Sequence, residues 1–398
     1  MNARGPAPMS MRDERPFLPF ARPDISDAEI AAVVECLRSE WLTTGPITRD
    51  FEREFAARVR PAGRAIAVNS ATAGLHLALE SIGVVPGDRV VVPVYTFTAT
   101  AEVVRYLGAD PDFVDVDADT LNVTSDQLAD AITDRTKVVI PVHIGGLACA
   151  MDDILPMARA RGVAVVDDAA HALPTARNGT AVGAFDTDAT VFSFYATKTL
   201  TTGEGGMIVT SRADVAERCA LMRLHGMHRR APQMTGADGP AWRYEILEPG
   251  FKYNLTDIAA ALGRVQLRRL QTMTDRRTAI AARYRDAFAD LPVRVPHSAS
   301  AGDVHAWHLF ILRLEDGCAT DRDRFIDRMH MLGVGCSVHF IALHLQPYWR
   351  DRYNLKAEMF PNADAASRCA VSLPIYSVMS DDDVDRVIDA VRQVVTRG

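Results

Sequence analysis

The sequence predicts an α/β protein with a mostly parallel sheet covered by helices, and a smaller α+β domain at its C-terminal end. Short apolar runs alternate with segments of helical periodicity between about residues 65 and 210. This βα alternation calls for parallel strands with helices on both faces. A chain of 398 residues exceeds one ordinary hydrophobic core, so we expect two domains.

The composition is that of an ordinary globular protein, with 48% hydrophobic and 24% charged residues. A net charge of −7 argues against a nucleic-acid-binding or anionic-membrane-binding surface. The six cysteines form no C-x-x-C pair, so we expect neither a zinc site nor a disulfide framework, and a cytoplasmic protein. Residues 1–16 lack an apolar segment and are predicted to form a flexible N-terminal arm rather than a signal peptide.

The first elements along the chain are predicted to be two helices. A capping-box pattern at residues 26–29 precedes Ile30, after which apolar residues recur at helical spacing as far as Leu37. A second helix is expected over residues 48–59. The intervening Thr44-Gly45-Pro46 is read either as an ordinary turn or as a loop at the mouth of a substrate site.

The strands of the large domain follow in regular order. They are predicted at residues 65–68, 90–93, 113–116, 138–142, 163–167, 189–192 and 207–210. Between the first strand and its helix, small residues from Asn69 to Gly74 would leave backbone N–H groups free at the positive end of the helix dipole, which suits a phosphate group. Serine and threonine cap many helices, however, so this motif is weak alone.

The C-terminal part is predicted to begin near residue 269, after a large domain that covers residues 17–268. Thr256 caps a helix that reaches Leu270, and a separate arginine-rich helix is expected over residues 275–291. A strand at residues 307–312 and a final amphipathic helix after Ser380 complete this domain.

Lys198 is the main candidate for a catalytic residue. Only four lysines occur among the 44 lysines and arginines, and Lys198 stands between an apolar strand and a glycine-rich turn. Lysine, unlike arginine, can give up its proton and attack a carbonyl group as an amine. A solvated loop lysine is the alternative interpretation.

A second candidate segment, Asp167-Asp168-Ala169-Ala170-His171, follows another buried strand. Pyridoxal phosphate chemistry needs such a set: an amine that joins the cofactor aldehyde, a carboxylate at the pyridine nitrogen and a polar group at the ring hydroxyl. Side chains alternate along a strand, so Asp167 and Asp168 face opposite sides and compete for the pyridine contact. His171 taken alone is equally typical of a structural histidine.

With these motifs in order, the chain resembles the DegT/DnrJ/EryC1/StrS family of pyridoxal-phosphate-dependent nucleotide-sugar aminotransferases from about Pro19 to its C-terminus. The resemblance implies a fold-type-I aminotransferase that passes through the pyridoxamine 5'-phosphate form. It selects Asp168 by the D-A-A-H motif and implies that Lys198 carries the cofactor. The remaining cofactor contacts that it implies are Ala71, Thr72 and Ser193 on the phosphate, Phe97 stacked on the pyridine ring, His171 beside the ring hydroxyl, and Asn254 on the phosphate of the neighbouring subunit.

The substrate-binding residues are less clearly marked. The resemblance places Thr44, Tyr195, His228, Arg229, His339 and His344 near the substrate, although a solvated basic loop accounts equally well for His228 and Arg229. His339 and His344 lack the further ligands of a metal site, so no metal is expected. If the role of Asn254 carries over, the protein is a homodimer with shared active sites.

The expected reaction transfers an amino group from glutamate to a nucleotide-linked keto-deoxy sugar. The segments N-S-A-T-A-G-L-H and P-G-F-K-Y-N-L-T-D are similar to the family branch that aminates C4. Amination at C3 or of a cyclitol, and a non-catalytic cofactor-binding regulator, remain alternatives. A dehydrating family member would have histidine in place of Lys198, and a nicotinamide enzyme would need a G-x-G-x-x-G after its first strand.

Overall fold

The computed structural model describes residues 16–228 and 244–397. Apart from Pro16, the predicted N-terminal arm lies outside these residues. The strands, in chain order, are β1 (Arg64–Val68), β2 (Arg89–Pro93), β3 (Asp110–Val114), β4 (Thr136–Val139), β5 (Ala164–Asp168), β6 (Ala176–Arg177), β7 (Thr180–Ala181), β8 (Ala189–Ser193), β9 (Gly206–Thr210), β10 (Met227–His228), β11 (Glu245–Ile246), β12 (Val293–Arg294), β13 (Phe310–Leu314) and β14 (Ala370–Leu373).

A seven-stranded sheet in the order β1-β9-β8-β5-β4-β2-β3 forms the centre of the large domain. The five strands from β8 to β3 run parallel, whereas β9 is antiparallel to both β1 and β8. Side chains such as Val90, Val91 and Val92 are fully buried, as expected for strands covered on both faces. The pairing of β5 with β8 brings their carboxyl ends, at Asp168 and Ser193, to the same edge of the sheet.

Helices cover this sheet and build most of the remaining structure. They are α1 (Asp27–Arg38), α2 (Pro46–Val59), α3 (Ala71–Ile82), α4 (Ala99–Tyr106), α5 (Ser125–Ala131), α6 (Met151–Ala160), α7 (Ala213–Met222), α8 (Asp257–Ala287), α9 (Arg322–Met331), α10 (Pro347–Tyr353), α11 (Pro361–Cys369) and α12 (Asp381–Arg397). Short 3₁₀ turns occur at Ile144–Gly146, Leu343–Leu345 and Ala357–Met359. Within the described residues, no helix is both long enough and apolar enough to cross a membrane.

The predicted strands and the predicted mostly parallel sheet are confirmed, but the prediction of two helices around residue 270 is wrong. A single helix, α8, runs without a break through 31 residues. The stretch from Leu270 to Asp275 contains no glycine or proline, and its polar residues alone do not terminate the helix. Helix α1 forms as predicted, but its apolar residues Ile30 and Leu37 are exposed. Glu29 is buried instead, and its carboxylate accepts hydrogen bonds from Gln266 and Arg269.

Two hydrophobic clusters lie along the chain, and α8 joins them. Leu267 and Leu270 belong to the cluster around the central sheet, while Ile280 and Tyr284 belong to the second cluster. The second cluster packs between the β12-β13-β14 sheet and helices α9 and α12. The cluster around the central sheet also includes residues beyond 269, such as Leu309, Leu343 and Trp349, so the division into domains over residues 17–268 and 269–398 stays a proposal.

Candidate functional site

A cavity of about 540 Å³ opens at the carboxyl ends of the parallel strands. The structure brings together there the larger part of the predicted site residues: Ala71, Thr72, Phe97, Asp168, His171, Ser193, Tyr195, Lys198 and His339. The second domain contributes His308 and Phe340 as well as His339 to the wall. The cavity therefore lies between the central sheet and the segments around residues 308 and 338–340.

The N-terminus of α3 forms one end of this cavity. Ser70 caps the helix by accepting a hydrogen bond from the Ala73 N–H at 3.1 Å. Within the described residues, the N–H groups of Ala71 and Thr72 donate to no protein acceptor. Gly206 of β9 packs so closely that a Cβ atom there would lie 2.8 Å from the Ala71 nitrogen. Two free N–H groups at the positive end of a helix are suited to an anion.

Asp168 is buried and also lines the cavity. Its Oδ2 accepts a hydrogen bond from Thr100 Oγ1 at 2.8 Å, and its Oδ1 accepts one from the Ala170 N–H at 3.1 Å. Burial raises the pKa of this carboxyl group, although these hydrogen bonds and the nearby Lys198 act to lower it. Asp167 lies on the opposite face of β5, where Thr190 donates to it at 3.1 Å. The alternation expected of a strand thus separates the two carboxylates.

His171 is a neutral hydrogen-bond donor in this arrangement. Its Nδ1 accepts a hydrogen bond from the Gly145 N–H at 3.3 Å, which leaves the proton on Nε2. Burial, together with the positive charge of Lys198, lowers the pKa of the imidazole well below its ordinary value. His171 can therefore donate to an oxygen atom held in the cavity.

Lys198 lies in the turn that follows β8, with its backbone N–H bonded to the Tyr195 carbonyl at 2.9 Å. The side chain is half-buried, and its Nζ lies 3.4 Å from Nε2 of His308. Burial lowers the pKa of this amine to about 8, although Asp168 favours the charged form. A much larger fraction of Lys198 is therefore a neutral nucleophile near neutral pH than for an ordinary lysine.

Phe97 and Phe340 supply aromatic walls. The Phe97 side chain is 58% exposed, so core packing does not explain this residue. The two ring centroids lie 6.0 Å apart with an interplanar angle of 40°. An exposed aromatic face beside an amine and a carboxylate is suited to a flat, polar ligand.

Four further predicted site residues, Thr44, His228, Asn254 and His344, do not line this cavity. Asn254 donates from its amide nitrogen to Thr44 Oγ1 at 2.6 Å, and both side chains lie beside Lys252 and Leu255. His344 is buried with Nε2 3.4 Å from Asp364. His228 is exposed on β10, and Arg229 lies outside the described residues.

Sequence reasoning missed His308 and Thr100. A βα pattern marks the residues that follow parallel strands, because sites in α/β proteins lie at those strand ends. His308 instead precedes β13 of the second domain and reaches the cavity from the opposite side. The positive φ of 46° at Trp307 marks this turn, but backbone conformation at a tryptophan has no reliable sequence signal.

These residues fit pyridoxal 5'-phosphate. The free N–H groups of α3 and the Ser193 hydroxyl suit its phosphate, Asp168 suits a protonated ring nitrogen, and the Lys198 amine suits its aldehyde. Within the described residues, buried Nδ1 atoms of His308 and His339 lack hydrogen-bond partners at the cavity wall. Unpartnered polar atoms of this kind are typical of a site that receives a ligand.

Comparison with known proteins gives one consistent result. A profile described as the DegT/DnrJ/EryC1/StrS aminotransferase family matches residues 23–392. The spore coat polysaccharide biosynthesis protein SpsC of Bacillus subtilis is 45% identical over 381 residues, which cover 95% of this chain and 97% of SpsC. The pyridoxamine-phosphate form of the sugar aminotransferase Spr1654 from Streptococcus pneumoniae superposes with a TM-score of 0.89 at 33% identity, covering 96% and 99% of the chains. DesI, solved in the presence of its TDP-sugar product, superposes with a TM-score of 0.84 at 32% identity, covering 98% and 95%.

Proposed function

The chain belongs to the DegT/DnrJ/EryC1/StrS aminotransferase family, and we propose that it moves the amino group of glutamate to the C4 keto group of a nucleotide-linked keto-deoxy sugar. The protein is a pyridoxal-phosphate-dependent sugar aminotransferase with a fold-type-I architecture. One observation carries the proposal: the Lys198 amine, the Asp168 carboxylate and the free N-terminus of α3 line one cavity.

Bound pyridoxal phosphate supplies an aldehyde and a pyridinium ring that accepts electron density. In our proposal the Asp168 carboxylate holds the proton on the ring nitrogen, and Thr100 and the Ala170 N–H orient that carboxylate. The Nε2–H of His171 would donate to the ring hydroxyl oxygen. Ala71, Thr72 and Ser193 hold the phosphate group.

Lys198 performs two tasks in this scheme. Its neutral amine would hold the cofactor through the cofactor aldehyde, and as a free amine it would take up and release a proton at the donor carbon. The pKa of about 8, lowered by burial, suits both tasks because the amine takes up and releases protons near neutral pH.

The size of the site supports a nucleotide-linked substrate. A second groove of about 640 Å³ shares Thr96, Phe97, Val338 and Phe340 with the cavity. Tyr348, whose side chain is 56% exposed, lines this groove and offers a face for a nucleobase. The DesI structure solved in the presence of its TDP-sugar product supports a nucleotide-linked sugar as substrate. The similarity of the segments at residues 69–76 and 249–257 to the branch that aminates C4 supports the choice of that carbon.

The position of Asn254 supports a homodimer with shared active sites. Asn254, Thr44 and Lys252 form a polar group that lies apart from the cavity of their own subunit. Near them Trp41 and Leu42 are exposed, as are Ile30 and Leu37 on α1. A partner subunit that covers these apolar side chains would bring its own cavity to Asn254.

The function is tested with purified protein, glutamate and 4-keto and 3-keto nucleotide sugars. We expect a visible band from the bound cofactor that glutamate removes and the 4-keto sugar restores, with an amino sugar as product. Lys198→Ala should lose the band and lower turnover by more than about 10³-fold, because both the attachment and the proton transfer are lost. Undiminished activity in Lys198→Ala would refute the mechanism, and turnover of the 3-keto sugar alone would refute the C4 assignment.

A further inference from the structure

His308 lies in the active-site wall without a task in the scheme above. Its side chain is buried, and its Nε2 is 3.4 Å from Lys198 Nζ. Within the described residues, its other ring nitrogen, Nδ1, has no hydrogen-bond partner. A buried polar atom without a partner costs about 1–3 kcal/mol. A histidine that served packing alone would be better replaced by an apolar residue.

The backbone on both sides of His308 is held firmly. The Arg277 guanidinium, buried on α8, donates to the carbonyl groups of Trp307 at 3.2 Å and Ile375 at 2.6 Å. On the other side, the Leu309 N–H donates to the Gly145 carbonyl at 3.2 Å. Trp307 itself has a φ of 46°, which is uncommon for a bulky residue. These contacts hold the backbone segment that carries the imidazole.

The charged and titratable groups around His308 keep it neutral. Lys198 follows β8, His171 follows β5, His339 precedes the 3₁₀ turn at Leu343–Leu345, and Arg277 lies on α8. The ring centroids of His308 and His171 lie 4.5 Å apart. Burial and these basic neighbours lower the pKa of His308 well below its ordinary value. A neutral imidazole has one nitrogen that accepts a hydrogen bond, and in the tautomer with the proton on Nδ1 the acceptor is Nε2.

We propose that His308 is a positioning residue for Lys198, accepting a hydrogen bond from Nζ at Nε2 whenever the amine is free of the cofactor. The contact holds the amine in place for proton transfer and stabilises its protonated form. The inference rests on the proposed role of Lys198. It assigns a function to a residue of the second domain, so that domain would contribute directly to the chemistry.

The test compares His308→Gln with His308→Asn. A glutamine amide reaches the position of Nε2 and can accept the hydrogen bond, whereas an asparagine amide reaches only the position of Nδ1. The first readout uses cofactor-free protein. The rate at which it captures pyridoxal phosphate is measured from the growth of the visible band, over a range of pH. A lysine with a lowered pKa captures faster as pH rises through about 8.

We expect His308→Gln to keep the wild-type pH midpoint of capture and His308→Asn to move it to lower pH, because the protonated amine loses its acceptor. The second readout is the single-turnover rate with glutamate, which should fall by about 10²-fold in His308→Asn and much less in His308→Gln. A wild-type pH midpoint and a wild-type single-turnover rate in His308→Asn would overturn the proposal. It would also be overturned if both variants lost the same activity and the same thermal stability. Covalent capture by Lys198→Ala would instead refute the proposed function itself.

Discussion

At the scale of single residues, burial in the cavity changes the protonation of Lys198 and Asp168 in opposite directions. Burial lowers the pKa of the lysine to about 8 and raises that of the aspartate. Both shifts have the same cause, the loss of water around a charged group. A protonated pyridine ring beside Asp168 would return a positive partner to the buried carboxylate.

Asp168→Asn tests this pairing. The variant should still bind cofactor, because the α3 N-terminus and Lys198 are unchanged, but the ring nitrogen loses its anionic partner. We expect turnover to fall by about 10²-fold to 10⁴-fold while the visible band remains. The measurement is the single-turnover rate with glutamate in cofactor-loaded protein.

Asp167→Asn is the matched control, since this neighbouring carboxylate is also buried but contacts Thr190 on the opposite face of β5. It should retain turnover within a few-fold and affect mainly stability. Equal turnover of the two variants, or undiminished turnover in Asp168→Asn, would show that the charge at residue 168 is not required.

At the scale of elements, one carboxylate joins the starts of two helices. Gly45 leaves α2 without a capping side chain. Asp257, in the first turn of α8, replaces it by accepting hydrogen bonds from the N–H groups of Gly45 at 2.8 Å and Thr48 at 2.9 Å. A Cβ atom at residue 45 would lie 2.0 Å from the Trp41 indole nitrogen, so a larger residue there would have to displace the Trp41 side chain. The contact also positions Thr44 beside Asn254.

Asp257→Ala should therefore destabilise the protein by about 3–5 kcal/mol, because buried N–H groups at the start of α2 lose a charged acceptor. The free energy of unfolding from urea denaturation, at fixed cofactor concentration, measures this effect. Asp275→Ala, an exposed position on the same helix, should change stability by less than about 0.5 kcal/mol. A similar small change for both variants would show that the Asp257 contacts contribute little.

At the scale of the whole molecule, α8 connects the two hydrophobic clusters and also carries Arg277, which fixes the segment of His308. The proposed homodimer adds a second connection, from Asn254 of one subunit to the cavity of the other. In that arrangement, Lys198 and Asn254 in any one active site come from different subunits.

Mixing Lys198→Ala with Asn254→Ala protein tests this arrangement. A mixed dimer would contain one site with both residues intact and one site with neither. If subunits exchange at random, activity should recover to about a quarter of the wild-type value. The measurement is the rate of amino-sugar formation after joint refolding of the two variants.

Each variant refolded alone provides the control. If Asn254 served its own subunit, no mixed site would be intact, and activity would not exceed the sum of the two controls. A monomeric protein in sedimentation experiments would likewise contradict the shared site.

Local patterns in the sequence were sufficient to predict the strands of the central sheet, its mostly parallel arrangement, and the strand ends after which Lys198, the Asp167-Asp168 pair and His171 lie. Periodicity, capping residues and alternation act over a few residues, and parallel strands place their carboxyl ends at one edge of a sheet. Each of these features can therefore be read without knowing what packs against it. The roles of these residues, the role of Asn254 and the domain boundary near residue 268 stay predictions.

The tertiary structure decided what depends on contacts between distant residues. It showed α8 to be a single helix, turned Ile30 and Leu37 of α1 outward, and brought His308 within 3.4 Å of Lys198 across 110 positions of sequence. It also lowered the pKa of Lys198, because desolvation depends on every group that surrounds the amine. Burial and distance between remote segments are properties of the folded chain, and no local pattern encodes them.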